Sequence, residues 1–347
     1  MKKVICALLM LSMLVGCTTV NKNSGESSSE ISSQDSSSKE IIVEETSSEE
    51  ETKELILNPF TGEILQQPIL NRPVAVMINN VEAALPQRGI STADIIYEMP
   101  VEYEITRLMA VYADYEKLPD IGSVRSARHD FVELIKPFNP LYIHFGYSPY
   151  GRKAIEEYGI NNVNGIKIAN TAFYQDKSLN KPSEHTWFTD LEHFKKGIQS
   201  NGYTTTLSEP IAPIFNFGGN DMATGEEMTT IEVGVTDVYK SKFVYDSSIN
   251  KYYQFQNGKP RMDTNTNTQC AVTNVLVMNT KVGNVPNSVN KEITLENGSG
   301  FYLCNGKKID VDFKKENKDS NLKVYTKDGK ELVMNRGNVW VCVTNKG

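Results

Sequence analysis

Four dipeptides toward the end of the chain limit how it can fold: Asn257-Gly258, Asn297-Gly298, Asn305-Gly306 and Asp328-Gly329. Asparagine and aspartate tolerate a left-handed backbone, and glycine adopts one without a Cβ clash. Each pair therefore suits a two-residue turn between antiparallel strands. Short runs rich in β-branched and aromatic residues lie between and around them, at Thr229–Val235, Lys242–Tyr245, Tyr252–Gln256, Val272–Met278, Ile293–Leu295, Gly300–Cys304, Val311–Phe313, Lys323–Tyr325 and Val339–Thr344. Helix signals are missing from this stretch. Residues 204–347 are expected to form a mostly antiparallel β domain.

The segment before it reads differently. Residues 55–203 mix strand and helix signals and are expected to form an N-terminal α/β-type domain. Arg72–Ile78 is a continuous apolar run, as in a strand covered on both faces. Ile95–Met99 and Thr106–Asp114 read as paired strands joined through Pro100-Val-Glu102, and Leu141–Phe145 as another strand. Apolar residues at Phe131, Leu134, Ile135 and Phe138 give Ala127–Phe138 one helix face. Tyr150–Tyr158 reads as a short helix closed by Gly159. Asp190 caps a helix that Asn201-Gly202 stops. Phe173–Trp187 shows no period and reads as a long surface loop.

The first 54 residues cannot build a core. Met1–Cys17 has Lys2-Lys3, an apolar run too short to span a bilayer, and Leu14-Val15-Gly16-Cys17, in which a cysteine follows small residues. It is expected to be a lipoprotein signal peptide, with Cys17 acylated (diacylglycerol plus a palmitate-type chain) and anchored in the cell membrane on its extracytoplasmic face. Thr18–Glu54 carries eleven serines and no aromatic residue, so a disordered linker is expected. Its random-coil span is roughly 35 Å. Its ten acids against three lysines equal the whole chain's net charge of −7. The folded part therefore lacks the basic face that nucleic-acid binding needs. Cys270, Cys304 and Cys342 contain no Cys-x-x-Cys pair, which argues against a thiolate zinc site. They read as buried apolar thiols, with one disulfide among them left open.

Chemistry is expected at Gly122-Ser-Val-Arg125-Ser-Ala-Arg128, between a strand and a helix start. Arg107 lies on a strand leading to the same turn. Three fork-shaped donors beside a helix N-terminus suit phosphate or carboxylate. On this reading Arg107, Arg125 and Arg128 form an anion-binding site, with Asp94, Glu98, Glu102, Ser126, His144 and His185 as supporting polar groups. The competing reading has Asp94, Glu98 and Glu102 pairing with the arginines as an ionic lock. A Ser-His-acid triad from Ser126 or Ser148, His144 or His185, and Glu98 lacks a Gly-x-Ser-x-Gly elbow. Metal ligation by His144, His185 and Glu98 is equally weakly signalled, and no cofactor motif is present.

Asn71-Arg-Pro-Val-Ala-Val-Met-Ile-Asn-Asn80, Ala93-Asp-Ile-Ile-Tyr-Glu98, Glu102-Tyr-Glu-Ile-Thr-Arg107 and Gly122-Ser-Val-Arg-Ser-Ala-Arg128 resemble the YerB-like bacterial lipoprotein family, a two-domain group of unknown function. Gly298-Ser-Gly300, Asn305-Gly306-Lys307, Asp328-Gly329-Lys330-Glu331 and Asn338-Val-Trp340 extend the resemblance to nearly everything after residue 55. It implies an α+β body, with layered sheets and helices to one side in the first domain, and no established activity. The family pattern has glycines where this chain has Tyr103-Glu104, and proline where it has His129.

The expected function is a binding or accessory module of the cell envelope. It would hold an anionic envelope polymer or a lipid-linked phosphosugar, or meet an envelope protein partner. The alternative is an envelope enzyme acting on a phosphate-linked glycan, with Glu98, Glu102 or Asp94 holding a metal or acting as base. A purely structural interaction protein is a third possibility.

Overall fold

The computed structural model describes residues 55–219 and 225–345. The export segment, Cys17 and the whole linker of residues 18–54 lie outside the described residues. The body is α+β, with few helices and many strands in mixed sheets. No described helix is long and apolar enough to cross a membrane.

The first half contributes β1 (Val74–Asn79), β2 (Ile95–Glu102), β3 (Ile105–Tyr112), β4 (Leu141–His144) and β5 (Asn162–Asn164). The second half contributes β6 (Thr230–Gly234), β7 (Lys240–Asp246), β8 (Lys251–Gln256), β9 (Asn274–Thr280), β10 (Asn297–Cys304), β11 (Lys307–Lys314), β12 (Lys323–Thr326) and β13 (Val339–Asn345). One sheet runs through both halves in the order β12-β11-β10-β9-β13-β2-β3-β1-β4-β5, and Glu226–Glu227 adds a short strand on β11. The final strand is the seam. β13 runs parallel to β9 on one side and to β2 on the other. β6, β7 and β8 start a second sheet, completed by Lys259–Pro260 and Ala271–Val272.

Side chains alternate across the strands, and the alternation sorts them into two cores. Ala75, Met77, Tyr97, Met109 and Tyr142 lie on one face with Phe131 and Ile135 of helix α1 (His129–Ile135) and Ile155 of α2 (Pro149–Tyr158). Val76, Ile78, Ile96, Leu108 and Ile143 lie on the other. There they meet Phe243 and Tyr252 of the second sheet, Ala172 of α3 (Gly165–Ala172) and Phe194 of α4 (Leu191–Asn201). Helices therefore cover both faces of the shared sheet rather than one side. This is why β1 reads as an unbroken apolar run, with all six residues buried.

Local signals explain the helix ends. Ser148 Oγ accepts from Gly151 N at 3.0 Å and Pro149 takes the first helical position of α2. Gly159 closes α2 at φ +66°. Asp190 caps α4 by accepting from His193 N at 2.8 Å. The stretch expected to be a long loop is tied down: Tyr174–Gln175 and Trp187–Thr189 pair with each other, and the latter with Ile121–Gly122, in a small sheet. Helix α3 has no counterpart in the sequence reading; it is interrupted at Ile168 (φ −137°, ψ 40°), and Asn164 starts it by accepting from Ile166 N at 3.0 Å. Cys270, Cys304 and Cys342 are buried and no disulfide joins them.

Candidate functional site

The β2–β3 hairpin sets the geometry. The strand does not stop at Pro100. It continues to Glu102 through a bulge, where the pairing shifts from Pro100↔Thr106 to Glu102↔Ile105. The turn is Tyr103-Glu104, and Tyr103 adopts φ +48°. This accounts for glycine there in the family pattern, since a side chain is strained in that conformation. The bulge also breaks the alternation of faces. Glu98, in the regular part of the strand, points into the second core with Trp340. Glu102, past the bulge, points to the face that carries Arg107.

Glu102 gathers two of the three arginines. Its Oε1 accepts from Arg107 Nη2 at 2.8 Å and from Arg128 Nη2 at 2.9 Å, and its Oε2 accepts from Arg128 Nε at 2.9 Å. The carbonyl of Ser126 accepts from Arg107 Nη1 at 2.5 Å, and that of Ala127 from Arg128 Nη1 at 2.8 Å. Arg107 is 4% exposed and Arg128 8%. Burial, and next the nearby Arg128 charge, push the Arg107 guanidinium down to about 9. These two side chains form an ionic lock between the hairpin and the start of α1.

The turn itself is extended, not helical. Arg128 is the N-cap residue at φ −131°, ψ 147°, and α1 spans only seven residues. Arg125 N donates to Met77 O, and Phe145 N donates to Arg125 O. The Arg125 guanidinium donates one hydrogen bond, 3.3 Å to Glu184 O, and feels the Glu184 and Glu102 charges without bonding to either carboxylate. Among the described residues it has no carboxylate within ion-pair distance. Its half-buried side chain borders a cavity of about 300 Å³ with Val124, Phe145, Ser183, Glu184 and Trp187. The Phe145 and Trp187 rings pack with centroids 5.0 Å apart. His185 lies beside this cavity. Asn79 Nδ2 donates to its Nδ1 at 2.8 Å, and its Nε2 is 4.0 Å from Glu184 Oε1. Burial lowers its proton affinity, and the Arg125 charge acts in the same direction.

The other sequence candidates fall elsewhere. Asp94 precedes β2 and so sits at the strand end opposite Glu102. It accepts from Ala113 N at 2.6 Å and is pushed up to about 6, chiefly by burial. It borders a larger cavity of about 920 Å³ with Asp114 and Lys117. Glu98 is fully buried at the seam, where it accepts from Asn80 Nδ2 at 3.0 Å, Ser241 Oγ at 2.6 Å and Trp340 Nε1 at 3.0 Å. It lies on the opposite face from His144. The ring of His144 packs 5.1 Å from that of Tyr142 and donates through Nδ1 to Gly146 O at 2.6 Å. Burial drives His144 down to about 4, so it is a neutral core residue near pH 7. Ser126 Oγ donates to Phe145 O at 3.0 Å. The triad from these residues is therefore not assembled. Among the described residues no three His, Cys, Asp or Glu side chains gather to hold a metal ion. His129, at the first helical position of α1, is half-buried against Tyr150.

Sequence reasoning missed Trp187 and Phe145 as neighbours of Arg125. Their contact depends on the small sheet that pins residues 174–189, a long-range pairing with no local signature.

Comparisons with known proteins agree with this architecture. Residues 60–204 match the family described as "Protein of unknown function (DUF3048) N-terminal domain", and residues 231–341 match its C-terminal domain. A curated relative, "Putative lipoprotein YerB" of Bacillus subtilis, is 30% identical over 296 residues, 84% of this chain and 86% of the relative. A crystal structure of YerB protein from Bacillus subtilis matches with a TM-score of 0.74 at 28% identity, covering 83% of this chain and 96% of that one. With its final strand stitched between the two matched segments and both segments present in order, the chain belongs to the YerB-like family of two-domain proteins of unknown function.

Proposed function

We propose that this chain is a membrane-anchored, extracytoplasmic lipoprotein that acts as a binding module of the cell envelope, with its anion site reduced to Arg125. The anchor reading rests on Gly16-Cys17 and on the lipoprotein relative; the linker of residues 18–54 would hold the body away from the bilayer. The first domain, residues 55–203, would carry the ligand, and the second, residues 204–347, would brace it across the shared sheet.

One observation carries the ligand reading. Arg125 makes a single hydrogen bond, to a carbonyl, so most of its five N–H donors remain available at the mouth of a cavity with two packed aromatic rings. A guanidinium beside an aromatic wall suits a phosphate attached to a sugar, the ring lying against Trp187 and the phosphate against Arg125. A lipid-linked phosphosugar or a phosphate-bearing envelope polymer offers both groups. The enzymatic alternative has less support: Glu102 is the acid beside the arginines and is already engaged by two of them, while Asp94 and Glu98 lie elsewhere.

The test is calorimetric titration of the full-length protein with a polyprenyl-linked phosphosugar and with the same sugar lacking phosphate. Arg125→Ala should weaken binding of the phosphorylated ligand at least tenfold without moving the melting temperature. Equal binding by the wild type and Arg125→Ala would overturn the reading.

A further inference from the structure

His185 stands beside the Arg125 cavity, and the fold decides which ring nitrogen carries its proton. Asn79, 2% exposed, faces the ring: Asn79 Nδ2 and His185 Nδ1 lie 2.8 Å apart. The orientation of the Asn79 amide is set from its other end, where Oδ1 accepts from Val81 N at 3.3 Å. Turned over, the amide would set one N–H against another. Nδ2 therefore points at the ring and donates, and His185 Nδ1 accepts. A neutral imidazole with an accepting Nδ1 has its proton on Nε2. That N–H has no hydrogen-bond partner among the described residues and retains contact with solvent.

Glu184 brings this donor together with Arg125. It lines the cavity, its carbonyl accepts from Arg125 Nη1 at 3.3 Å, and its Oε1 lies 4.0 Å from His185 Nε2. Its charge acts on both the guanidinium and the imidazole. The carboxylate is 54% exposed and bonds to neither, so water screens it and it holds its place weakly. The charged groups that face the His185 ring are Glu184 on its own turn, Arg125 from the extended turn and Lys181 from the preceding loop. Lys181 Nζ is committed to Leu85 O at 2.7 Å. The ring stays neutral: burial opposes a second proton, Arg125 and Lys181 add to that, and the proton would enter at Nδ1, against the Asn79 N–H. With Glu184 offsetting one cation, the site offers one positive charge in excess and one neutral N–H donor.

We propose, resting on the Arg125 reading, that the ligand of this site is a phosphodiester: Arg125 supplies the charge, and His185, held in one tautomer by Asn79, donates from Nε2 to a second oxygen. A diester has one negative charge and two non-bridging oxygens, which match a single guanidinium in excess and a neutral donor. A terminal phosphomonoester carries about −1.5 to −2 at pH 7, and its further charge would lie against Glu184. Arg125 is held at its tip by one hydrogen bond, so it turns onto the phosphate without breaking an ion pair. A diester lies within a chain, so the ligand continues on both sides of its phosphate.

The test is calorimetric titration of the full-length protein with glucosyl methyl phosphate, a diester, and with glucose 1-phosphate, a monoester. At pH 8 the diester should bind at least fivefold more tightly. Its affinity for the wild type should stay level between pH 5.5 and pH 8, where its own charge does not change. Nitrogen NMR of histidine-labelled protein should find the His185 proton on Nε2. His185→Leu should weaken diester binding about tenfold, the loss of one hydrogen bond to a charged group. His185→Gln, whose amide nitrogen stands near the place of Nε2, should restore most of it. Asn79→Asp turns the partner of Nδ1 into an acceptor and moves the neutral ring's proton there. That variant should bind the diester at pH 5.5, where the ring holds both protons, and at least tenfold more weakly at pH 8. Tighter binding of the monoester, a proton on Nδ1, or a level pH profile for Asn79→Asp would overturn the proposal. Wild-type affinity in His185→Leu alongside a loss in Arg125→Ala would end it and leave the Arg125 reading standing. Equal binding by the wild type and Arg125→Ala, or no binding of either ligand, would end both. If His185→Leu or Asn79→Asp fails to fold, the tautomer and the diester-to-monoester ratio, both read on the wild type, still decide.

Discussion

Glu102→Ala offers the sharpest test of the ionic lock. The substitution removes the one carboxylate shared by Arg107 and Arg128 and leaves two buried guanidiniums facing each other. Glu102 accepts three hydrogen bonds from them, and its side chain is 17% exposed, so water screens the cluster only in part. Removing one partner of a buried pair typically costs about 3–5 kcal/mol, because a charge is left desolvated without compensation. A melting point would fall by roughly 6–20 °C at about 2–4 °C per kcal/mol. Urea unfolding followed by circular dichroism at pH 7 measures the loss directly. The double substitution Glu102→Ala with Arg107→Met separates charge from packing. Deleting the stranded Arg107 charge should recover at least half of the loss. A single-mutant loss below about 1 kcal/mol would mean that the cluster behaves as a solvated surface pair. A double mutant no more stable than the single would refute the reasoning outright.

Three other outcomes follow from the geometry. Asp130 accepts from Ile293 N at 3.0 Å, and burial pushes it up to about 7 from an ordinary 3.8. The folded state keeps a proton that the unfolded chain releases, so this group's contribution is full below 3.8 and is lost as pH rises to about 7. Asp130→Asn should therefore gain stability relative to wild type between pH 4 and pH 8, by up to roughly 4 kcal/mol in urea midpoints; a flat difference would contradict it. His144 has the opposite sign: held down to about 4 by burial, it supports the fold above its ordinary 6.5 and loses that support as pH falls toward 4. Acid unfolding monitored with and without His144→Gln should show the wild type losing more between pH 6.5 and pH 4. Tyr103→Gly relieves a side chain at φ +48° on an exposed turn and should raise stability by about 0.5–1 kcal/mol, read from the urea midpoint.

What the sequence could convey divides along a physical line. Turns and caps are local, and they are legible: Asn257-Gly258 joins β8 to the short strand Lys259–Pro260, Asn305-Gly306 joins β10 to β11, and Asp190 and Gly202 bound α4 as their side chains and φ preferences require. The sequence ends this strand at Met99, three residues before Glu102, because proline argues against a strand interior and the bulge that tolerates Pro100 has no local signature. The position of Glu102 depends on that bulge. Without the extra residue the alternation would turn Glu102 to the face of Glu98, and Arg107 and Arg128 would lack their common partner. The three arginines divide by their hydrogen bonds: Arg107 and Arg128 share Glu102, whereas Arg125 donates to Glu184 O. Arg128 is still extended as the N-cap, so Arg125 lies in the turn before the helix, near enough for its charge to act on Arg107 but without a bond to Glu102. Arg125 is left with a single carbonyl partner. An arginine released from a lock and set against Trp187 is a better candidate for a ligand than any member of a neutralised cluster, because binding need not first break an ion pair.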